Sequence, residues 1–189
     1  TKEYSVGPLT STGAYDWHAI HFRMNLQTQD HPEARPVAIR AYRFGTHAGS
    51  PDGPDLGFPP LHNHHTTVVG MPADVDEHNT NRAEDTPKRI WLAQQADGQC
   101  PDDVDGFDCL THDLRPGGYF IPFNSDWNLT ENSLWNDGRA ADSPPLVWYF
   151  KATIIFEPLT PELGARLKRI AEWGIAHSWI RGSSDNTLE

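Results

Sequence analysis

The stretch from Leu146 to Phe156 constrains the fold of this chain more than any other segment, because apolar side chains recur at every second position. A period of two indicates a β-strand, in which alternate residues share a face. The opposite face, which includes Val147, Tyr149 and Ile155, is also largely apolar. Strands that are apolar on both faces are typical of the centre of a sheet. We therefore predict that the chain is organised around a β-sheet with this strand inside it.

Several shorter segments also have the pattern of strands. They are residues 17–26, residues 37–44, residues 61–70, residues 90–93 and residues 119–123. The sixteen prolines and fifteen glycines favour turns and loops between these strands and few long helices. Residues 1–14 are expected to form an entry arm, and residues 45–60 and 124–145 are expected to form loops.

The period changes after residue 159. Thr160-Pro161-Glu162 is typical of a helix start, with a hydroxyl at the N-cap and proline at the first helical position. The helix is predicted to run to about Arg181 and to end at Gly182. Many short strands and one late helix predict a mainly β protein: an antiparallel β-sandwich or jelly roll with one C-terminal α-helix. We expect a β-sandwich domain at 1–158, the helix packed on it at 159–182, and a polar tail at 183–189.

The charge of the chain excludes several partners. The 189 residues suit a single domain and carry a formal net charge of −11. Nucleic acid and anionic membrane surfaces are bound by clustered Lys and Arg, so neither is an expected partner. No apolar run has the length that is needed to span a bilayer.

Three histidines, His62, His64 and His65, fall within four residues directly after a proline pair. The Thr and Val residues that follow favour a strand. In that strand His62 and His64 would share a face, with His65 opposite unless the backbone bulges. Neutral imidazole binds copper, zinc, iron and nickel, so this strand predicts a transition-metal site. The alternative is a set of solvent-facing or hydrogen-bonded histidines without a metal.

Further ligands must come from elsewhere in the chain. His21, on the less apolar face of the first alternating strand, and His112, just before the Pro-Gly-Gly turn, are the candidates. His18 lies on the apolar face and is expected to be buried. A thioether from Met24 or Met71 would favour copper, although core packing is the more common role of methionine.

An oxidising, secretory context is indicated by two features. Cys100 and Cys109 lie close enough in sequence to form a disulfide that closes a short loop. Asn128-Leu129-Thr130 is a sequon for N-glycosylation at Asn128. The loop between the cysteines also carries Asp103, Asp105 and Asp108, which resemble part of a calcium loop but lack its terminal glutamate.

The segment from His64 to Gly70 resembles the His-His-hydrophobic-Gly motif of the copper type II, ascorbate-dependent monooxygenases, the peptidylglycine and dopamine hydroxylating family. A cysteine, a Pro-Gly-Gly turn and a closing strand follow in the same order over roughly residues 60–158. The resemblance implies a jelly-roll domain whose adjacent histidines bind one copper. Residues 119–123 lack the family's next histidine, and the chain is too short for its second sandwich. It therefore implies a single-domain relative with one metal site.

Three hypotheses for function remain open. The first is a secreted or ectodomain β-sandwich that binds a transition metal, copper ahead of zinc or iron, with metal-assisted oxidation as its enzymatic form. The second is a non-catalytic extracellular glycoprotein module that assembles with itself or with other extracellular proteins. The third is carbohydrate binding through Trp127 and Trp135. His62-Asn63-His64 also matches the first part of a cupin motif, whose later glutamate and histidine are absent.

Overall fold

The alternating segment that begins at Leu146 lies inside a six-stranded sheet, as predicted. In the computed structural model, which describes residues 1–57, 59–71, 88–93, 111–113, 115, 117–119 and 123–169, it forms strand β11 (Leu146–Pro158). β11 pairs antiparallel with β1 (Lys2–Ser11) on one side and β3 (Pro36–Ala48) on the other. Its residues Trp148, Phe150, Ala152 and Ile154 are fully buried.

Three short strands complete this sheet along β3. They are β4 (Asp55–Leu56), β7 (Thr111–Asp113) and β9 (Phe123–Asn124), all antiparallel to β3. β3 therefore continues beyond its predicted end at Phe44, and the region 45–60 contains strand residues as well as turns.

The second sheet has four antiparallel strands. Their order is β2 (Trp17–Met24), β10 (Asn128–Asp137), β5 (Leu61–Met71) and β6 (Lys88–Ala93). The strands predicted near residues 17, 61 and 90 are confirmed, and with them the mainly β, sandwich-like fold class. The predicted loop over 124–145 was wrong, because it contains β10 in the middle of this sheet.

The alternation of apolar residues does not predict strand β10, because polar residues occupy its inward positions. Leu129, Glu131, Ser133 and Trp135 alternate towards the core, and all four are buried. A carboxyl and a hydroxyl at the two central inward positions remove the apolar alternation that identifies a half-buried strand. Pairing on both sides, with β2 and with β5, holds these residues in the sheet.

Aromatic rings fill the space between the two sheets. Trp135 of β10 lies 6.3 Å from Trp148 and 6.0 Å from Phe150 of the facing sheet, measured between ring centroids. Aromatic pairs at such spacings stabilise a fold by more than the burial of their surface alone. Trp135 is only 1% exposed, and Trp127 packs partly buried against the same core. Carbohydrate binding through Trp135 is therefore ruled out by its burial.

Both ends of the described chain differ from expectation. The predicted entry arm is strand β1, whose alternation is interrupted by a register shift between Val6 and Leu9. The helix starts as predicted, with the Thr160 side chain accepting a hydrogen bond from the Leu163 N–H. It ends much earlier than predicted, as α1 (Pro161–Arg166), because the chain becomes extended at Leu167.

A small parallel sheet follows the helix, formed by β8 (Gly118–Tyr119) and β12 (Lys168–Arg169). Leu163 of α1 packs with Ala38 and Tyr119 in a second small core. Several predictions fall on residues outside the described part of the structure. They are the polar tail, the predicted continuation of the helix beyond Arg169, the predicted disulfide between Cys100 and Cys109, and the predicted calcium ligands Asp103, Asp105 and Asp108. In the part of the chain that is described, no helix has the length and hydropathy of a membrane span.

Glu131 is a carboxyl in an apolar interior. It is 0% exposed, and neither carboxyl oxygen has a hydrogen-bond partner among the described residues. Its neighbours across the sheet are Phe22 on β2 and Val68 on β5. Burial raises the pKa of Glu131 to about 8, outweighing the opposing influence of Ser133. Glu131 is therefore protonated and neutral at pH 7.

We predict that the free energy of unfolding of the Glu131→Gln variant rises relative to that of the wild type as pH rises from 4.5 to 8. Over this range the unfolded wild type has released the proton and the folded state retains it, so wild-type stability falls by about 1.4 kcal/mol per pH unit. The variant does not titrate here and should gain on the order of 3–5 kcal/mol across the interval. Urea unfolding of both proteins at pH 4 to 9 measures the difference; a difference independent of pH would contradict the prediction.

Candidate functional site

A β-bulge in β5 sets the positions of the histidines. Trp135 of β10 pairs with Asn63, whereas Leu134 pairs with His65, so His64 is an extra residue between them. Asn63 is buried towards the core, His62 is half-buried and His64 is exposed. Bulges of this kind re-aim side chains and are frequent beside active sites.

Asn136 fixes the orientation of the His62 ring. The Nδ1 atom of His62 lies 3.0 Å from the Oδ1 atom of Asn136, its direct partner in the register of β5 and β10. An amide oxygen can only accept a hydrogen bond, so Nδ1 of His62 carries the proton. Nε2 then carries the lone pair through which a neutral imidazole binds a metal.

The His64 ring lies beside that of His62. Their centroids are 6.3 Å apart, with the ring planes inclined at 75°. A metal bound 2.0–2.1 Å from one nitrogen of each ring would place the centroids about 5–6 Å apart. The observed spacing of 6.3 Å lies just outside this range, and a change in the first side-chain torsion of the exposed His64, which moves the ring centroid, would be needed to close it.

His21 lies on the same sheet but away from this pair. It pairs with Asn132 of β10, whereas His62 pairs with Asn136 four residues along the strand. Two strand spacings and four residues separate His21 and His62 by roughly 16 Å. The Nδ1 atom of His21 contacts Oδ1 of Asn132, so His21 repeats the His62 arrangement at a distant position.

The remaining candidates are distributed over both sheets. His65 pairs with Leu134 through its backbone, next to the bulge. His112 pairs with Tyr42 on the six-stranded sheet, away from the β5 strand. The side chains of His65 and His112 are outside the described part of the structure. Among the side chains that are described, no group of three or more His, Cys, Asp or Glu is placed to hold one ion, so the described candidate site is a histidine pair.

The other residues that were considered for function lie within strands, and most of them contact the core or the backbone. His47 is buried in β3, with Nδ1 3.0 Å from the carbonyl oxygen of Gly53. His18 packs edge-on against Trp148 at 5.3 Å, and Met24 belongs to the core. Asn128 is the first residue of β10 and is half-buried; glycosylation at this residue stays a prediction.

One aromatic residue, Trp17, borders the histidine pair, and the sequence patterns did not single it out. Trp17 pairs with Asn136 on the side opposite His62, and its ring lies 5.7 Å from the ring of His64. Trp17 is 50% exposed and Tyr15 is 66% exposed. No local sequence pattern links Trp17 to the histidines, because their contact depends on the pairing of β2 with β10.

The turn that carries Tyr15 is unusual in its backbone. Ala14 and Tyr15 have φ values of 58° and 60°, the left-handed region that bulky side chains rarely adopt. Gly13 precedes them with φ of 83°, and a Cβ atom there would lie 2.2 Å from the carbonyl oxygen of Ala140. This turn therefore requires glycine at position 13.

An ion pair between the buried Asp137 carboxylate and the partly exposed Arg139 holds the turn in place. The Asp137 carboxylate accepts hydrogen bonds from the Gly13 N–H at 3.1 Å and from the Arg139 guanidinium at 2.7 Å. The backbone carbonyl of Asp137 accepts from the Tyr15 N–H at 2.9 Å. Burial acts to raise the pKa of Asp137, but the hydrogen bonds from the side chain and backbone of Arg139, together with the Arg139 charge, lower it to about 2.

Comparisons of the chain with family models, with curated proteins and with solved structures find no match. The candidate site is therefore interpreted from its own geometry.

We predict that Asp137→Asn destabilises the protein by about 2 kcal/mol at pH 7, since the pKa of the carboxylate falls from 3.8 to about 2 on folding. A lowered folded-state pKa contributes stability that is present above pH 4 and is lost as pH falls through 2. The difference from the wild type should therefore shrink between pH 4 and pH 2. Unfolding measurements at pH 7, 4, 3 and 2 test this. Asp142→Asn, at an exposed carboxylate, is the control; an equal loss in both variants would contradict the prediction.

Proposed function

We propose that this protein is a secreted or ectodomain β-sandwich that binds a transition metal through His62 and His64, with copper ahead of zinc and iron. The observation that carries the proposal is the ring pair 6.3 Å apart on β5, in which Asn136 directs one imidazole. His65, the neighbouring residue in the chain, is the proposed third ligand.

The setting of the pair suits metal capture. β5 pairs with β10 along the histidine segment, and with β6 from Thr66 onward, so β10 holds the backbone that carries the histidines. His64 is exposed, and an ion can therefore approach from solvent. The hydrogen bond to Asn136 directs Nε2 of His62, in the way that outer-shell partners orient metal-binding histidines.

The preference for copper over zinc and iron follows from the ligand type and from the resemblance to the copper monooxygenases. Imidazole accepts copper, zinc, iron and nickel, and among divalent ions Cu(II) binds most strongly to nitrogen ligands. The segment His64–Gly70 is similar to the copper-binding motif of that family. A bound copper ion would supply one-electron redox chemistry, and two or three protein ligands would leave coordination positions for an exogenous ligand. Metal-assisted oxidation is the reaction class that this resemblance supports.

We predict that the protein binds one Cu(II) ion, and Zn(II) more weakly, and that His62→Ala and His64→Ala each weaken Cu(II) binding at least tenfold. Each substitution removes one of two imidazoles that approach the same ion. Isothermal titration calorimetry of metal-free protein measures the affinity.

His21→Ala is the matched control, because His21 is an exposed histidine on the same sheet with the same type of asparagine contact. It should leave the affinity unchanged. Absence of Cu(II) binding, or equal losses in all three variants, would reject the His62 and His64 site.

We predict further that Asn136→Ala weakens Cu(II) binding by about 10–100-fold, since it removes the acceptor that orients His62. Asn132→Ala removes the equivalent contact to His21 and should leave the affinity unchanged. Titration of both variants, with thermal unfolding to compare their stability, separates orientation of the ligand from loss of fold. Equal affinity in the two variants would show that Asn136 does not position the site.

A further inference from the structure

The His64 ring contacts two other rings on the outer face of the four-stranded sheet. Its centroid is 5.7 Å from that of Trp17 and 6.3 Å from that of His62. Trp17 and His62 pair with the same residue, Asn136 of β10, from opposite sides. Their backbones are therefore about 10 Å apart, two strand spacings across the sheet. His64 belongs to β5, so its ring reaches across β10 to meet the indole of β2.

The burial of Asn136 agrees with a ring that lies over β10. Asn136 follows the inward residue Trp135 and therefore faces outward, yet it is only 3% exposed. A residue on the outer face of a sheet is buried only where other side chains lie over it. The contact between His64 and Trp17 crosses β10 at this row of the sheet and supplies such a cover.

Contact with Trp17 and joint coordination with His62 are competing positions of the His64 ring. A metal bound by one nitrogen of each imidazole requires centroids about 5–6 Å apart, and the observed spacing of 6.3 Å exceeds this. Trp17 and His62 lie on opposite sides of Asn136, so a torsion change that brings His64 closer to His62 carries it away from the indole. Because side-chain torsions occupy discrete staggered wells, the ring takes one position or the other.

We propose that Trp17 is a positioning residue that regulates the metal site: its indole holds His64 in a docked position, and metal binding moves the His64 ring from Trp17 to His62. The inference rests on the proposed function, because it concerns the same two imidazoles. An edge-on aromatic contact is worth a factor of about 2–10 in an equilibrium constant. Since this contact is broken when both imidazoles bind one ion, it lowers the apparent metal affinity by that factor.

The first test compares the Cu(II) affinities of the wild type, Trp17→Ala and Trp17→Phe by calorimetry of EDTA-treated, dialysed protein. We expect Trp17→Ala to bind about 2–10-fold more tightly, because no contact then holds the docked position. Trp17→Phe retains a ring and should bind more nearly as the wild type does. Val147→Ala removes an exposed apolar side chain from the other sheet and is the control, with unchanged affinity.

The second test follows the His64 ring itself by NMR spectroscopy. In the metal-free wild type we expect nuclear Overhauser effects between the ring protons of His64 and those of Trp17. They should disappear when Zn(II), which is diamagnetic, is bound. The spectra of His64→Ala and Trp17→Phe assign the two sets of ring signals. A role of Trp17 in stability alone would not produce this dependence on metal.

Two outcomes would overturn the proposal and leave the metal site standing. They are Cu(II) binding that Trp17→Ala leaves equal or weaker, and Overhauser effects that persist after calorimetry has shown Zn(II) to be bound. Failure of the proposed function has a different signature, since neither the wild type nor Trp17→Ala would then bind Cu(II). Trp17 is 50% exposed, so its removal should leave the fold intact; circular dichroism and thermal unfolding of each variant measure this.

Discussion

The structure depends on the packing of aromatic rings between two sheets. Trp148 and Phe150 of β11 meet Trp135 of β10, and these three side chains join the centres of both sheets. All three are at most 1% exposed. Because β10 pairs with β2 and β5, this contact also determines where the histidine strand lies. The metal proposal therefore concerns the outer face of a sheet whose inner face is fixed by rings.

The strands with a clear apolar alternation could be predicted from the sequence, and the others could not. β11 was identified as a central strand because its two faces are apolar along its length. β10 was missed because Glu131 and Ser133 occupy inward positions, and such residues normally indicate solvent exposure. The helix start at Thr160 follows from local capping chemistry. Its end at Arg166 depends on strand pairing of Lys168 with Gly118, a distant contact that no local pattern encodes.

The residues of the candidate site also fall into those that the sequence predicted and those that it did not. His62 and His64 were identified from their spacing, and the possibility of a bulge followed from strand geometry. Asn136 and Trp17 were not singled out, because they come from other strands and meet the histidines only through sheet register. Conversely, Trp135 was considered for sugar binding although it is buried. Exposure of a tryptophan is a tertiary property, and among the tryptophans whose burial the structure describes, the exposed one is Trp17.

The extra residue in β5 has a consequence for how such a site can arise. Asn63 and His65 are already paired with consecutive residues of β10, so His64 is accommodated outside the regular ladder. Removing that one residue would leave an uninterrupted ladder, with every inward side chain on either side still facing the core. One imidazole of the pair could thus be gained or lost through a single-codon insertion or deletion, without repacking the interior.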